Sequence, residues 1–545
     1  MLNKKKIFVV FVILFFAAGI FAQSFDNTEE NSEVLPPEDE FALELEEESQ
    51  QINDSLQDCF VVIESVQTHD LNPQTTSYSS DSQILTGLYE GLFTYDPRSL
   101  APTYAIAIDY RISRDQKRWT FTINPKACFS NGEKITAADV RNSWLQLLST
   151  PNAPYASLFD VISGAADFRN GLCSADKVGI YANSDESLSI HLVKPANYLP
   201  KVLCHSAFSV VNKNPEVYSG PFYLDTFELG YYRLKKNPYY WDSQNVPLKE
   251  IDFIQSDSSI ENAYYFNIGF ADWVSSNVDT DVLINKNAFS LNAEFATTYF
   301  FFKNNSEIWN IPEFRAALFE AIPWDYLREG YYVPATTYVY PIGNYPAVEG
   351  YSYTDVKEAE NLMNAAREKY NIPQSKILPI ILEIPENAFS SEKLAALSDA
   401  WAKLGVELQV KMKPTYEYFN SVKTSDSQLF IYTWVGDFAD PLAFLELFRS
   451  DSTLNDSLWK NEEFDSLLNQ AAEVSEEERY KLLSEAENLL LDNCMVIPIQ
   501  HPVIYNIIDK NSVGGWFENA FDIHPLKYLY KKETKSTVPN IVMNK

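Results

Sequence analysis

Residues able to do covalent or metal chemistry are few in this 545-residue chain and stand apart from one another. The five cysteines are Cys59, Cys128, Cys173, Cys204 and Cys494. An odd count with no C-x-x-C spacing argues against a disulfide framework and leaves room for one bridge, such as Cys173 to Cys204. The histidines, His69, His191, His205, His501 and His524, form no H-E-x-x-H pattern, and contiguous Cys204-His205 has no partner cluster. No structural zinc and no cofactor are therefore expected. The chain has neither a G-x-S-x-G turn to present a nucleophilic serine nor a G-x-x-x-x-G-K-[ST] loop to cradle ATP. What remains is recognition chemistry. In Trp434-Val435-Gly436-Asp437-Phe438-Ala439-Asp440-Pro441 a carboxylate follows an apolar strand and a large ring. By residue type alone, Asp437 suits the cap of a turn ahead of Asp440-Pro441 and Trp434 suits a core position at a strand end.

Composition limits the partners. Hydrophobic residues make up 46% and charged residues 22%, a mixture that builds packed cores and, at this length, three to four domains by the usual size prior. The 75 Asp and Glu outnumber 43 Lys and Arg, giving a formal charge of −32 that repels phosphate backbones, so nucleic-acid binding is not expected. Aromatic residues reach 14%, beyond what core filling requires, and Tyr and Trp suit adaptable ligand cavities.

The N-terminus reads as an export signal. Lys4, Lys5 and Lys6 precede an unbroken apolar run over residues 7–16 and the small residues Ala17, Ala18, Gly19 and Ala22, a layout that predicts a signal peptide over 1–22. No Cys ends the apolar run, so lipid attachment is not expected and the mature protein should be exported, to the periplasm. Residues 23–55 carry twelve Asp and Glu, no Lys or Arg, and the pair Pro36-Pro37, the composition of an acidic flexible linker.

Periodicity then supplies the elements. An apolar strand is expected at 59–63 and a helix over 82–92 with Ile84, Leu85, Leu88 and Leu92 on one face. Trp119-Thr120-Phe121-Thr122-Ile123 alternates as a strand, Asn131-Gly132 marks a turn, and Thr136-Ala137-Ala138-Asp139 opens a helix as a capping box. Further strands are expected at 187–193 and 222–227. The second half alternates helices at 313–322, 355–367, 391–404 and 476–491 with strands at 378–384, 406–412, 429–434 and 496–499, the pattern of an α/β lobe.

Several motifs in order carry a resemblance: Leu71-Asn72-Pro73, Leu88-Tyr89-Glu90-Gly91-Leu92, Phe129-Ser130-Asn131-Gly132-Glu133, Thr136-Ala137-Ala138-Asp139-Val140, Gly220-Pro221-Phe222-Tyr223-Leu224, Lys236-Asn237-Pro238-Tyr239-Tyr240-Trp241-Asp242, Phe314-Arg315-Ala316-Ala317, the Trp434 to Pro441 segment, and Asn461-Glu462-Glu463-Phe464-Asp465. The chain resembles the family 5 extracytoplasmic solute-binding proteins, the oligopeptide-binding components of ABC transporters. That resemblance implies an α/β fold, a two-lobed periplasmic-binding-protein-like clamshell with an extra subdomain on the first lobe. Lobe I would take 56–89, 216–296 and 504–545, the subdomain 90–215, and lobe II 297–503.

It also implies a non-enzymatic receptor that captures peptides between its lobes and hands them to a membrane permease served by separate ATPase subunits. Asp437 then corresponds to the acidic residue that pairs with a ligand's α-ammonium, Trp434 packs beside the ligand, and Tyr155 faces the cleft from the subdomain. The backbone of Tyr432, Thr433 and Val435 offers a strand edge. Departures bear on the ligand: Ile431 stands where an Arg is usual and Ser77 where an acidic residue is usual, with Lys423 and His501 as candidate carboxylate partners. Alternatives within the same reading are a non-peptide solute (metal chelate, haem, sugar) and a partner-binding or chaperone-like protein reusing the fold. From another class, a secreted hydrolase with paired carboxylates would also suit an acidic, aromatic-rich chain.

Overall fold

The computed structural model describes residues 59–532, apart from 343, 387 and 437. The expected signal peptide, acidic linker and Asp437 lie outside the described residues. Among the described residues, no helix is long and apolar enough to cross a membrane.

Three sheets organise the chain. The apolar run Cys59–Glu64 is buried along its whole length because it lies inside a seven-stranded sheet, parallel to Glu250–Gln255 on one side and Trp273–Val274 on the other. Tyr231–Lys236 and Phe222–Glu228 extend that sheet one way; Val503–Ile508 and Phe289–Ala293 extend it the other. A four-stranded antiparallel sheet contains Arg118–Ile123, where Trp119, Phe121 and Ile123 point inward and Arg118 outward, as period-two alternation requires. The helix Ala137–Ser149 covers it, starting at the expected capping box: the Asp139 N–H donates to Thr136 Oγ1 at 3.4 Å and the Thr136 N–H to Asp139 Oδ2 at 2.8 Å. The third sheet is mixed, in the order Val406–Lys413, Leu378–Pro385, Leu429–Val435, Ala296–Phe302, Val496–Gln500. Helices Pro312–Glu320, Val356–Lys369 and Ser391–Ala402 belong to the same stretch of chain.

The chain passes twice between the first and third sheets, through Glu294-Phe295 and through His501-Pro502. The two passages touch, since the Glu294 N–H donates to the Pro502 carbonyl at 2.9 Å.

The sequence motifs turn out to be packing devices. Gly220 approaches so closely that a Cβ there would lie 2.5 Å from the Gly87 carbonyl oxygen, and Asn237 Nδ2 donates to the Gly220 carbonyl at 3.0 Å. Glu90 is buried and accepts three hydrogen bonds, from Tyr240 Oη (2.6 Å), Trp241 Nε1 (2.7 Å) and Lys527 Nζ (2.8 Å). This network corrects one expectation. The helix predicted over 82–92 is Ser79–Leu88, and Tyr89 leaves it in extended conformation. Drawing the Glu90 carboxylate into the network outweighs the continuing apolar period. The bridge from Cys173 to Cys204 does not form either: all five cysteines are free thiols, with Cys204 Sγ against the Thr94 and Pro200 carbonyls.

Candidate ligand cavity between the lobes

A cavity of about 630 Å³ opens where the first and third sheets face each other. The loop over residues 70–78 and Ile523 form one wall, Asn152, Pro154 and His205 a second, and the Leu429–Val435 strand with the Thr415–Val422 helix a third. The walls meet around it. Tyr78 and Phe419 pack edge to face at 6.1 Å, Thr453 Oγ1 donates to the Pro154 carbonyl at 2.8 Å, and the Arg479 guanidinium stands 4.8 Å over the Tyr198 ring.

The Leu429–Val435 strand is apolar and β-branched enough to enter a sheet, and it pairs with Ala296–Phe302 over seven residues, Ala296 opposite Val435. On its other side it meets Leu378–Pro385 only through Leu429 and Phe430. Alternation decides which backbone groups stay open. The Gly436 N–H donates to the Phe295 carbonyl, so within the strand the register turns the backbone groups of Phe430, Tyr432 and Trp434 toward the Ala296–Phe302 side. Odd-numbered residues point the other way. Ile431 is closed by one side chain: its N–H donates to Tyr418 Oη at 2.9 Å and its carbonyl accepts the Tyr418 hydroxyl proton at 2.8 Å. Thr433 and Val435 present their backbone toward the cavity.

The structure brings Ser77, Tyr432, Thr433, Trp434 and Val435 together on the cavity wall. Trp434 is anchored by its Nε1, which donates to the Ala443 carbonyl at 2.8 Å, so its ring orientation is fixed. Tyr432 departs from expectation: its backbone faces the neighbouring strand, and it contributes its side chain, whose hydroxyl donates to Asp456 Oδ2 at 2.9 Å. Tyr155 does not face the cleft. It is 1% exposed, packed with its ring 4.3 Å from that of His205, because the following turn over Ala156–Phe159 carries it into the subdomain core. His205 takes the wall position, and burial pushes its imidazole down to about 4, which keeps it neutral.

Of the two candidate carboxylate partners, Lys423 lines the cavity. His501 does not. It is buried in the second passage between sheets, with Nδ1 3.0 Å from both Thr297 Oγ1 and the Ala296 carbonyl.

Sequence reasoning missed two residues. Asp456 lines the cavity beside Tyr432; burial raises its carboxyl, opposed by the Tyr432 hydrogen bond and the Lys423 charge. Tyr418 sets where the open strand edge begins. Neither carries a local signal, since each acts on a partner 24 or 13 residues away. Among the described lining residues, Asp70, Asp456 and Lys423 carry charge, two acids and one base.

A mixed α/β body of two lobes, joined by two adjacent passages and holding a cavity between them, defines a ligand-binding protein of the clamshell class. The chain belongs to the bacterial extracellular solute-binding proteins, family 5, whose middle-region profile matches residues 101–456. Among similar proteins, the oligopeptide-binding protein OppA of Bacillus subtilis is 28% identical over 492 residues, covering 83% of this chain and 90% of the relative. The probable deoxycholate-binding periplasmic protein YgiS of Escherichia coli is 27% identical over 85% of this chain and 90% of its own length. Among solved structures, a periplasmic oligopeptide-binding protein from Borrelia burgdorferi matches with a TM-score of 0.75 at 22% identity, covering 87% of this chain and all of that one. Haemophilus influenzae OppA in complex with the peptide RPPGFSPFR matches with a TM-score of 0.73 at 19% identity, over 87% of this chain and 99% of its own.

Proposed function

We propose that this protein captures peptides in the cavity between its lobes and delivers them to an ABC-type importer whose permease and ATPases are separate chains. The observation that carries the reading is the open edge of the Leu429–Val435 strand inside that cavity. Peptides of varied sequence share only their backbone and termini, and an unpaired strand edge binds backbone without reading side chains. Thr433 and Val435 supply that edge, and Trp434 forms a fixed wall beside it. In this reading Asp437, two residues past Val435, takes the ligand's α-ammonium, because a carboxylate in a cleft that excludes water is stabilised by a matched cation. The ligand then runs antiparallel to the strand, amino end toward Asp437. Ser77 lines the opposite wall.

The same reading divides the chain into lobe I (56–89, 216–296, 504–545), a subdomain (90–215) and lobe II (297–503), with a signal peptide over 1–22 and an acidic tether over 23–55 placing the mature protein outside the cytoplasm. Binding, not catalysis, is the activity.

The relatives support a peptide ligand by the names they carry, and the deoxycholate-binding relative supports a second reading in which the solute is not a peptide. Denaturing the purified protein and analysing the released small molecules by mass spectrometry separates the two. A mixture of short peptides is expected; a single non-peptide solute would replace the first reading by the second.

A further inference from the structure

A second cavity, of about 430 Å³, opens against the same loop that walls the first. His69, Leu71, Asn72 and Pro73 face it, whereas Asp70 and residues 75–78 face the cavity between the lobes. No described residue lines both, so the loop is a partition between two separate spaces. The body of the second cavity is apolar, built by Leu71, Pro73, Val211, Pro215, Leu224 and Phe227. Its size and lining are those of a small-molecule site.

Two phenols give this space its polarity. Tyr89 and Tyr218 line it, are 9% and 7% exposed, and meet edge to face with ring centroids 5.5 Å apart. Their backbones are fixed. The Tyr218 N–H donates to Ser130 Oγ at 3.0 Å and its carbonyl accepts the Ser130 N–H at 2.8 Å, while the Tyr89 N–H donates to the Leu85 carbonyl at 2.9 Å. Neither hydroxyl has a hydrogen-bond partner among the described residues, and neither is sealed among the unpartnered buried atoms, so both meet the free space of this cavity. A phenol so far buried costs free energy until something takes its proton. Burial pushes both hydroxyls up from their ordinary value, helped by Tyr218 and Asp70 for Tyr89 and by Glu216 for Tyr218, so both stay protonated and ready to donate.

The surrounding charges restrict what can bind. Asp70 and Glu216 act on the two hydroxyls and oppose an anion there. Lys213 lines the cavity, is exposed, makes no hydrogen bond or ion pair among the described residues, and opposes a cation. We infer that this cavity is a second binding site, for a small uncharged molecule whose apolar ring body carries one carbonyl oxygen. That oxygen accepts the Tyr89 and Tyr218 hydroxyl protons, and the ring body displaces water from the wall of Leu71, Leu224 and Phe227. The site stands whatever solute the cavity between the lobes takes.

The test is calorimetric titration of the full chain with adamantanone, adamantane carboxylate and adamantyl ammonium. It is run on the natural protein, on the double variant Tyr89→Phe with Tyr218→Phe, and on Phe227→Ala. The two hydroxyls hold no protein group and Phe227 is 53% exposed, so all three replacements spare the packing. Adamantanone should bind one-to-one and about ten-fold more tightly than either charged analogue. Its affinity should fall by about ten-fold in the double variant, where two neutral hydrogen bonds are lost, and by about three-fold or more in Phe227→Ala, where part of the wall is lost. No binding of adamantanone to the natural protein, or an affinity unchanged in either variant, would overturn the site. A charged analogue binding as tightly as the ketone would overturn the ligand class.

Discussion

The Tyr418 hydroxyl sits between the N–H and the carbonyl of Ile431, at 2.9 and 2.8 Å, and so does for one residue what a neighbouring strand would otherwise do. A single side chain from a helix ends the sheet's pairing at the point where the cavity begins. Tyr418→Phe leaves two buried backbone groups without partners, each costing about 1–3 kcal/mol. Urea unfolding should show a loss of about 2–6 kcal/mol with an unchanged slope; a loss below about 0.5 kcal/mol would mean that water or a shifted strand replaces the hydroxyl.

Asp437→Asn separates a ligand contact from a turn cap. Tripeptides with a free amino group should bind about thirty-fold more weakly, and their N-acetylated forms should change less than about three-fold, because only the former bring a cation to the carboxylate. Equal losses for both would assign Asp437 to the turn.

His69 is buried between two acids, Nδ1 2.7 Å from Asp81 Oδ1 and Nε2 2.6 Å from Glu64 Oε1. Burial disfavours its charge, but the hydrogen bonds to Asp81 and Glu64 prevail and hold it at about 9, above the ordinary 6.5. A raised value means that the folded state keeps a proton the unfolded chain releases. The stabilisation is complete below about pH 6.5 and is lost as pH rises through about 9. The difference in unfolding free energy between the natural protein and His69→Gln should shrink by about 3 kcal/mol at most from pH 6 to pH 10; a difference independent of pH would show that His69 is neutral.

Glu90→Gln leaves the Lys527 ammonium buried without its counter-ion, at a cost of about 3–5 kcal/mol. Adding Lys527→Met should restore more than half of that loss in thermal or urea unfolding. Additive losses would place the energy of Glu90 in its bonds to Tyr240 and Trp241 instead.

Much of the scaffold was legible because its signals are local. Thr136 and Asp139 are three residues apart and cap the same helix that their types predict. Trp119, Phe121 and Ile123 declare a half-buried strand by alternation alone. The helix expected over 82–92 runs instead over Ser79–Leu88, and what lies at its missed end is remote: Glu90 finds Tyr240, Trp241 and Lys527. The cavity followed the same division. Trp434 and its neighbours stand in a motif, whereas Asp456 and Tyr418 gain meaning only when the chain brings Tyr432 and Ile431 to them. Tyr155 misled for the same reason, since its surroundings are set by His205, fifty residues later in the chain.

The strand Val503–Ile508 lies inside the sheet that Cys59–Glu64 begins, and Lys527 reaches Glu90 across 437 positions of sequence. The five-stranded sheet, by contrast, is drawn wholly from one continuous stretch between Ala296 and Gln500. The first sheet therefore cannot be completed until the chain has been made as far as residue 508, whereas the five-stranded sheet needs nothing beyond residue 500. The earliest strand of the described chain shares its sheet with one of the latest. A chain ending before residue 503 would lack the strand that joins Trp273–Val274 to Phe289–Ala293, leaving two strand edges of that sheet without a neighbour.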